Sequence, residues 1–278
     1  RKYRDRKGNG QMLRDITLGQ YYQTESVIHR LDPRVKLIAT IVFIISLFLV
    51  DSFPGYLIAG LFLVCAIKLS HVPFKFMVKG MKAILFLLIF TVIFNLLLTP
   101  GEPLVSIWRL TITWEGLETA VKMAIRLSFL IIGSSVMTLT TTPNNLTDGM
   151  ESLMKPLRRL RVPVHEIAMM MSIALRFIPI LLEETDKIMK AQMARGADFD
   201  SGNLIQKAKS LVPLLVPLFI SAFRRANDLA MAMEARCYRG GDGRTKMKPL
   251  IYKRRDHLAF FILFLYLVLA VVAGRILF

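Results

Sequence analysis

Five long apolar runs, separated by polar or charged stretches, dominate this chain and limit what it can fold into. The hydrocarbon core of a bilayer is about 30 Å thick, which roughly 20 helical residues can span. The runs therefore predict five transmembrane helices, at residues 35–50, 55–69, 83–99, 120–139 and 257–277. With 54% hydrophobic residues, the chain is too apolar for an ordinary soluble domain. We expect an all-α membrane protein.

Basic residues flank the apolar runs and predict the orientation of the chain. One group precedes the first run and another separates the second run from the third: His29, Arg30, Arg34 and Lys36, then Lys68, Lys75, Lys79 and Lys82. The positive-inside rule places both groups in the cytoplasm. The link at 100–116 is poor in positive charge and offers Trp108 and Trp114 to the outer interface. The N-terminus is then inside and the C-terminus outside. We therefore interpret the net charge of +17 as the excess of basic residues that orients the chain towards the anionic cytoplasmic leaflet. We do not expect a nucleic acid partner.

The apolar runs divide the chain into five parts. Residues 1–11 are highly charged and precede the first methionine, so they are interpreted as an extension or disordered tail, and 12–34 as a cytoplasmic N-terminal segment. Residues 35–139 hold the first four transmembrane helices and 257–278 the fifth. Between them, 140–256 form a basic insert that keeps helical periodicity and is too long for a simple loop. We predict a cytoplasmic coupling domain of one short and two long helices.

Prolines and glycines mark the predicted helix ends in this insert. A threonine before Pro143 is typical of an N-cap with proline at the first helical position, so a short helix is predicted at about 144–160. A second helix follows Pro163 and ends at Arg195 and Gly196, and a third covers about 203–238. At about 1.5 Å per residue, each long helix would reach on the order of 45 to 50 Å. We therefore describe the two long helices as arms.

The arms end in nearly the same three residues, Ala194-Arg195-Gly196 and Ala235-Arg236-Cys237. One interpretation is capping alone, because arginine in a last turn suits the helix dipole and glycine commonly ends a helix. Capping does not require an alanine before each arginine, however. We favour a pair of related docking sites, since a guanidinium offers five fixed donors to the carboxylates or carbonyls of a partner.

Three stretches of the chain resemble a known family. HRLDPRVKL, ALRFIPILLEETDKIMKAQMARG and AFRRANDLAMAMEARCYRGG closely resemble the transmembrane T component of energy-coupling factor (ECF) transporters, which are ABC-type transporters. The resemblance covers essentially the whole chain after Met12, and the paired tips are its most specific part. It implies a multi-pass, non-catalytic scaffold in the bacterial plasma membrane. Arg195 would dock into one ABC-type ATPase subunit and Arg236 into another, with the flanking small residues fitting a groove: Ala194, Gly196, Ala235 and Cys237.

The resemblance also implies partners and a division of labour. Arms and membrane helices would hold an exchangeable small membrane protein that binds a vitamin or a metal ion. Movement of the ATPases, driven by ATP, would pass through the arms and reorient that subunit. ATP and Mg²⁺ would be bound by the ATPases, so no cofactor is expected on this chain. The substrate, and whether the ATPases are identical, stay open. Cys237 departs from the family pattern, which has glycine there.

Methionines are frequent in the insert, and flexible thioethers suit surfaces that pack against several shapes. We predict that a Met-rich face, together with two prolines on the apolar part of the third helix, forms the interface for the exchangeable subunit: Met169, Met170, Met171, Pro213 and Pro217. The alternative is that these residues pack between crossed arms.

The competing functions are a self-contained secondary carrier and a membrane-embedded transferase. The histidines are scattered and no GxxxxGK[ST] loop occurs, so we predict neither a metal site nor catalytic residues. Glu183 and Glu184 lie near lysines of their own helix, with which we expect them to pair. Lys122 and Arg126, in the fourth apolar run, are either functional intramembrane cations or cations that snorkel to the interface.

Overall fold

The computed structural model describes residues 21–100, 103–107, 110–197, 199, 209–241 and 247–276. We number its α-helices in chain order: α1 Pro33–Leu49, α2 Phe53–Ser70, α3 Phe74–Leu98, α4 Trp114–Thr140, α5 Pro143–Met154, α6 Val164–Ala194, α7 Val212–Ala235 and α8 Arg254–Ile276. Two strands, β1 Pro103–Ile107 and β2 Leu110–Thr113, form an antiparallel hairpin between α3 and α4, and a 3₁₀ helix covers Lys155–Leu160.

Each of the five apolar runs forms a helix, and the fold is the expected all-α membrane protein with one small hairpin. Among the described residues, four helices are long and apolar enough, by length and composition, to cross a membrane: α2, α4, α6 and Arg254–Gly274 of α8. The first helix has 17 residues, and α3 contributes a shorter apolar segment at Ile84–Leu98. Because α6, which we predict to be a cytoplasmic arm, meets the same criterion, its placement in the cytoplasm stays a prediction.

The described chain divides into two compact units. The membrane unit contains α1 to α4, most of α5, and α8, and the arm unit covers Met154–Met247 with α6 and α7. Within the membrane unit, α8 packs against α1 and α2, while α4 packs against α1, α2 and α3. The tryptophan that opens α4, Trp114, is 59% exposed, whereas Trp108 lies outside the described residues.

The core of the membrane unit is built from large side chains on α1, α2 and α8. Leu47 is fully buried, and the Phe62 and Tyr266 rings stack with centroids 4.3 Å apart. The Tyr266 hydroxyl and Ser46 Oγ form a buried hydrogen bond of 2.6 Å, so this polar tip has a partner inside the apolar core. A Cβ on Gly133 of α4 would lie 2.6 Å from the Phe43 ring, which explains a glycine in mid-helix.

The helices of the insert begin and end close to the predicted positions, with two differences. Thr142 does cap α5, because its Oγ1 accepts the Asn145 amide at 3.3 Å. The short helix predicted at 144–160 changes to 3₁₀ after Met154, since Pro156 lacks an amide to continue the α-helical bonds. The second difference is the length of the third predicted helix, which corresponds to α7. The 24 residues of α7 span about 36 Å, less than the predicted length, and residues 200–208 lie outside the described part.

Candidate docking site at the helix tips

The first arginine tip ends α6 with a Schellman motif, a standard hydrogen-bonded helix end. Arg195 has φ −86° and ψ 3°, and Gly196 has a left-handed φ of +91°. The Gly196 amide donates to the Met193 carbonyl at 3.0 Å, and the Ala197 amide donates to the Gln192 carbonyl at 3.0 Å. These two bonds satisfy carbonyls that have no partner inside the helix.

The second tip repeats the first, residue for residue. Arg236 has φ −93° and ψ 14°, and Cys237 has a left-handed φ of +57°. The Cys237 amide donates to the Glu234 carbonyl at 2.8 Å, and the Tyr238 amide donates to the Met233 carbonyl at 3.0 Å. The two tips therefore share a backbone geometry as well as a sequence.

This geometry gives a second reason for a small third residue in each tip. The first reason, predicted from the sequence, is that Gly196 and Cys237 are small enough to fit a partner's groove. In the structure both adopt left-handed backbone, which costs a residue with a side chain about 1–2 kcal/mol and costs glycine almost nothing. A Cβ at Gly196 would meet no atom within 4 Å, so conformation rather than crowding within the chain favours glycine.

Replacing Cys237 by glycine is expected to stabilise the second tip by about 1 kcal/mol, because the left-handed strain disappears. Amide hydrogen exchange at Cys237 and Tyr238 should slow several-fold. Cys237→Ser keeps a side chain at the strained position and serves as the matched control. Equal exchange rates in wild type and Cys237→Gly would contradict a strained tip.

Both arginine side chains are available to a partner. The residues at 194–196 and 235–237 are all exposed. Within the part of the chain that the structure describes, Arg195 and Arg236 form no ion pair and no side-chain hydrogen bond. With respect to the described residues, each guanidinium therefore keeps its donors free at the end of its helix.

A polar clamp joins the two arms. Glu184 of α6 accepts hydrogen bonds from Ser221 Oγ at 2.6 Å and from Arg225 of α7, whose Nη2 and Nε lie 2.6 and 3.1 Å from its carboxylate. This corrects the expectation that Glu184 pairs with lysines on its own helix. Two donors from α7 hold one carboxylate, which fixes where the helices cross.

The clamp places the tips at opposite ends of the helix pair. Near one end, the Gln192 amide lies 3.5 Å from the Pro213 carbonyl, so the C-terminal end of α6 lies beside the start of α7. Arg195 follows Glu184 by eleven residues, and Arg236 follows Arg225 by the same number. At 1.5 Å per residue each tip is about 16 Å along its helix from the clamp, and because the helices run in opposite directions the tips are on the order of 35 Å apart.

Known proteins share this chain's sequence over most of its length. A family model described as CbiQ, cobalt transport protein, matches residues 24–247. A protein of Clostridium kluyveri is 57% identical over 89% of this chain and 93% of its own length. A protein of Bacillus subtilis is 48% identical over 88% and 93%. Both are named energy-coupling factor transporter transmembrane protein EcfT. The chain belongs to the CbiQ family of T components.

The T component does not bring the predicted subunit-binding residues together. Met170 and Met171 are 61% and 50% exposed near the start of α6, and Met169 is half-buried. Pro213 is exposed beside Gln192, about 30 Å further along α6, and Pro217 is half-buried one turn later. Along the same part of α7, from its first residue to the clamp, an apolar stripe with helical spacing is exposed: Val212, Leu215, Val216, Phe219, Ile220 and Phe223.

A buried polar junction in the T component was missed by sequence analysis. We call it the Asp32 junction; it comprises Asp32, Lys36, Thr140 and Asp256. Asp256, 1% exposed, accepts the Asp32 amide at 2.9 Å and the Lys253 amide at 2.7 Å. One carboxylate thus accepts the Asp32 amide just before α1 and the Lys253 amide just before α8. The second bond has the geometry of a capping box.

Lys36 binds two carbonyls of the Asp32 junction, and Arg34 binds the junction from outside. The Lys36 ammonium donates to the His29 carbonyl at 3.2 Å and to the Thr140 carbonyl at the end of α4 at 2.8 Å. Arg34 bonds the Asp32 carboxylate at 2.9 Å and lies 3.8 Å from the centre of the Tyr252 ring. Burial raises the pKa of Asp32, but hydrogen bonds and charge from Arg34 outweigh burial, so its pKa lies below the usual value.

The Asp32 junction joins the chain on both sides of the arm unit. Thr140 precedes the arm residues in the chain and Asp256 follows them. Lys36 in the first turn of α1 binds Thr140, and Asp32 just before α1 binds Asp256. The sequence contained one local signal: Asp-Pro at the start of an apolar run, which predicts an N-cap. From the sequence, Arg34 and Lys36 were used only to predict the orientation of the chain.

The two cations in α4 are paired at the end of the membrane unit that we predict to lie outside. Lys122 lies 2.6 Å from Glu118 one turn earlier. Arg126 contacts Asp51 at 2.5 Å and donates to the Tyr56 hydroxyl at 3.0 Å, which fastens α4 to the turn between α1 and α2. These pairs give both cations a structural role in the T component.

Proposed function

We propose that this T component couples two ABC-type ATPase subunits to an exchangeable substrate-binding membrane subunit for uptake of a vitamin or a metal ion. The observation that supports the proposal most is the pair of matching, exposed arginine tips at opposite ends of one clamped helix pair. Two equivalent ends on the order of 35 Å apart suit two separate grooves on a pair of related proteins.

In this proposal each tip enters one ATPase subunit. Arg195 and Arg236 donate to acceptors in the two grooves, and the exposed Ala194 and Ala235 allow close approach of the partner backbone. ATP and Mg²⁺ are bound by the ATPases, and the T component supplies no catalytic group. Because Glu184 holds α6 against α7, movement of one tip changes the position of the other.

Replacing Glu184 by alanine is expected to loosen the arms and to broaden the distance between their tips. Spin labels on Cys237 and on an Ala197→Cys variant, in a Cys65→Ser background, report this distance by pulsed electron resonance. Its distribution should have a single narrow peak in the parent and should widen in Glu184→Ala. The adjacent exposed Glu183→Ala is the matched control; an unchanged distribution in Glu184→Ala would remove the clamp from the mechanism.

The substrate-binding subunit would pack on the exposed apolar surface of the arm unit. The stripe on α7 and the exposed Met170 and Met171 on α6 supply such surface, and monomers rarely leave so much of it uncovered.

Replacing Met169, Met170 and Met171 by leucine is expected to narrow the range of binding subunits that one T component accepts, because leucine adapts its shape less. Competition among several binding subunits measures this, and unchanged exchange would contradict the role of the methionines.

Purification of the full chain from its native membrane in mild detergent tests the proposal as a whole. Mass spectrometry of the bound chains should identify two ATPase subunits, or two copies of one, together with small membrane proteins whose ligands reveal the substrates. A T component that is folded but comes down alone would overturn the scaffold function and favour a self-contained carrier.

A further inference from the structure

A cavity of about 260 Å³ lies inside the membrane unit, between α1, α2, α4 and α8. Its wall is almost entirely apolar and includes small residues on facing helices, Ala39 on α1, Ala66 on α2 and Ala259 on α8. The lining of α1 runs from Val35 to Phe43, which is about 12 Å along the helix. The cavity is therefore a narrow apolar slot parallel to the helices.

Polar groups lie at one end of this slot, which we predict to face the cytoplasm. Lys36 and Thr140 are there, but the Lys36 ammonium is already bonded to the Thr140 carbonyl. Arg255 is different. Its Nε is buried without a hydrogen-bond partner, and within the described residues its guanidinium forms no ion pair. The neighbouring carboxylate of Asp256 is occupied by two backbone amides.

A buried guanidinium N–H without a partner is unfavourable, and the effect is larger for a charged group than for a neutral one. The terminal nitrogens of Arg255 also form no hydrogen bond with another described residue, so an anionic oxygen bound to them would give this charge a partner. Basic pockets between membrane helices on the cytoplasmic side are suited to lipid headgroups. The slot is also accessible from the bilayer, because two of its lining residues on α8 are exposed: Leu258 at 61% and Ile262 at 46%.

We propose that this cavity binds one anionic phospholipid, with an acyl chain between α1, α2, α4 and α8 and its phosphate against Arg255. The apolar wall accounts for the chain, and the unpaired guanidinium accounts for the negative headgroup. The site is independent of the arginine tips and of the ATPase partners. It makes one lipid a structural component of the membrane unit, in contact with Lys36 and Thr140 of the Asp32 junction.

Native mass spectrometry of the full chain tests this site with dioleoyl phosphatidylglycerol and dioleoyl phosphatidylcholine as probes. Wild type should retain one phosphatidylglycerol in about five- to tenfold preference over phosphatidylcholine. Arg255→Gln should lose the preference, whereas the adjacent, exposed Arg254→Gln should keep it. Ala259→Phe fills the slot and should lose both lipids; Ala66→Leu fills it from another helix, in case the first variant misfolds. Inorganic phosphate at millimolar concentration should not displace the lipid, because phosphate cannot occupy the apolar slot.

Three results would overturn the proposal. The first is equal retention of phosphatidylglycerol by wild type and a folded Arg255→Gln, which would remove the headgroup contact. The second is displacement by inorganic phosphate alone, which would make the site a simple anion site. The third is a wild type that retains neither lipid, which would indicate that another part of the chain or another protein fills the slot.

Discussion

Replacing Arg195 and Arg236 together by glutamate is expected to abolish co-purification of the ATPase subunits with the full chain. Central arginines of protein interfaces typically contribute 2 kcal/mol or more, and a reversed charge adds repulsion to the loss of hydrogen bonds. About 2 kcal/mol at each tip weakens each contact roughly 30-fold. Because neither guanidinium forms a hydrogen bond or an ion pair with another described residue of the chain, the double variant should fold and reach the membrane normally.

The single variants separate the two tips. Arg195→Glu should weaken one ATPase contact and Arg236→Glu the other, so each should lower transport while the remaining tip still retains an ATPase. Lys190→Glu and Arg239→Glu are matched controls, since both side chains are exposed and lie within five residues of a tip. Equal losses in all four single variants would reduce the tips to generic positive charge. An unchanged set of bound chains in the double variant would contradict docking outright.

Local signals in the sequence were enough to predict the helices and their tips. The apolar runs determine the helices through hydropathy alone, and Thr142 with Pro143 correctly predicts the start of α5. The end of α6 follows from Gly196, which adopts the left-handed backbone that glycine permits. Because Cys237 aligns with Gly196, the same backbone could have been predicted there.

The missing features depend on contacts between residues far apart in the chain. Glu184 has lysines nearby on its own helix, and nothing local indicates that Ser221 and Arg225 of α7 bind it instead. Asp32 and Asp256 are 224 positions apart and meet only when α8 packs beside α1. The unpaired state of Arg255 could not be predicted for the same reason, because it depends on the folded cavity and not on the neighbouring sequence.

Asp256→Ala is expected to be the most destabilising single change in the membrane unit. It leaves the buried Asp32 amide and the partly buried Lys253 amide without acceptors, at about 1–3 kcal/mol each, and removes a negative charge near Lys36. A total of about 3–5 kcal/mol corresponds to a midpoint of thermal unfolding roughly 10 °C lower. To measure the midpoint, samples in detergent are heated to a series of temperatures, and the monodisperse peak that remains is quantified by size-exclusion chromatography.

Two further variants distinguish the carboxylate from its surroundings. Lys253→Ala keeps the backbone amide that Asp256 accepts, so it should unfold close to wild type. Asp256→Asn keeps the shape of the side chain but offers one acceptor oxygen for two amides, so it should fall between wild type and Asp256→Ala. An Asp256→Ala variant as stable as Lys253→Ala would mean that water satisfies both amides and that the junction contributes little.

A double-mutant cycle with Lys36→Met tests whether the junction acts as one unit. Lys36→Met alone removes the donor to the His29 and Thr140 carbonyls and leaves the Asp32 and Asp256 carboxylates without a nearby ammonium. If the charges stabilise one another, the double variant should lose less stability than the sum of the single losses, by about 0.5–3 kcal/mol. Additive losses would show that Asp256 serves only to cap α8 and the segment before α1. A positive coupling would instead make the Asp32 junction a single fastening for the end of α4 and the start of α8, the two helix ends between which the arms are inserted.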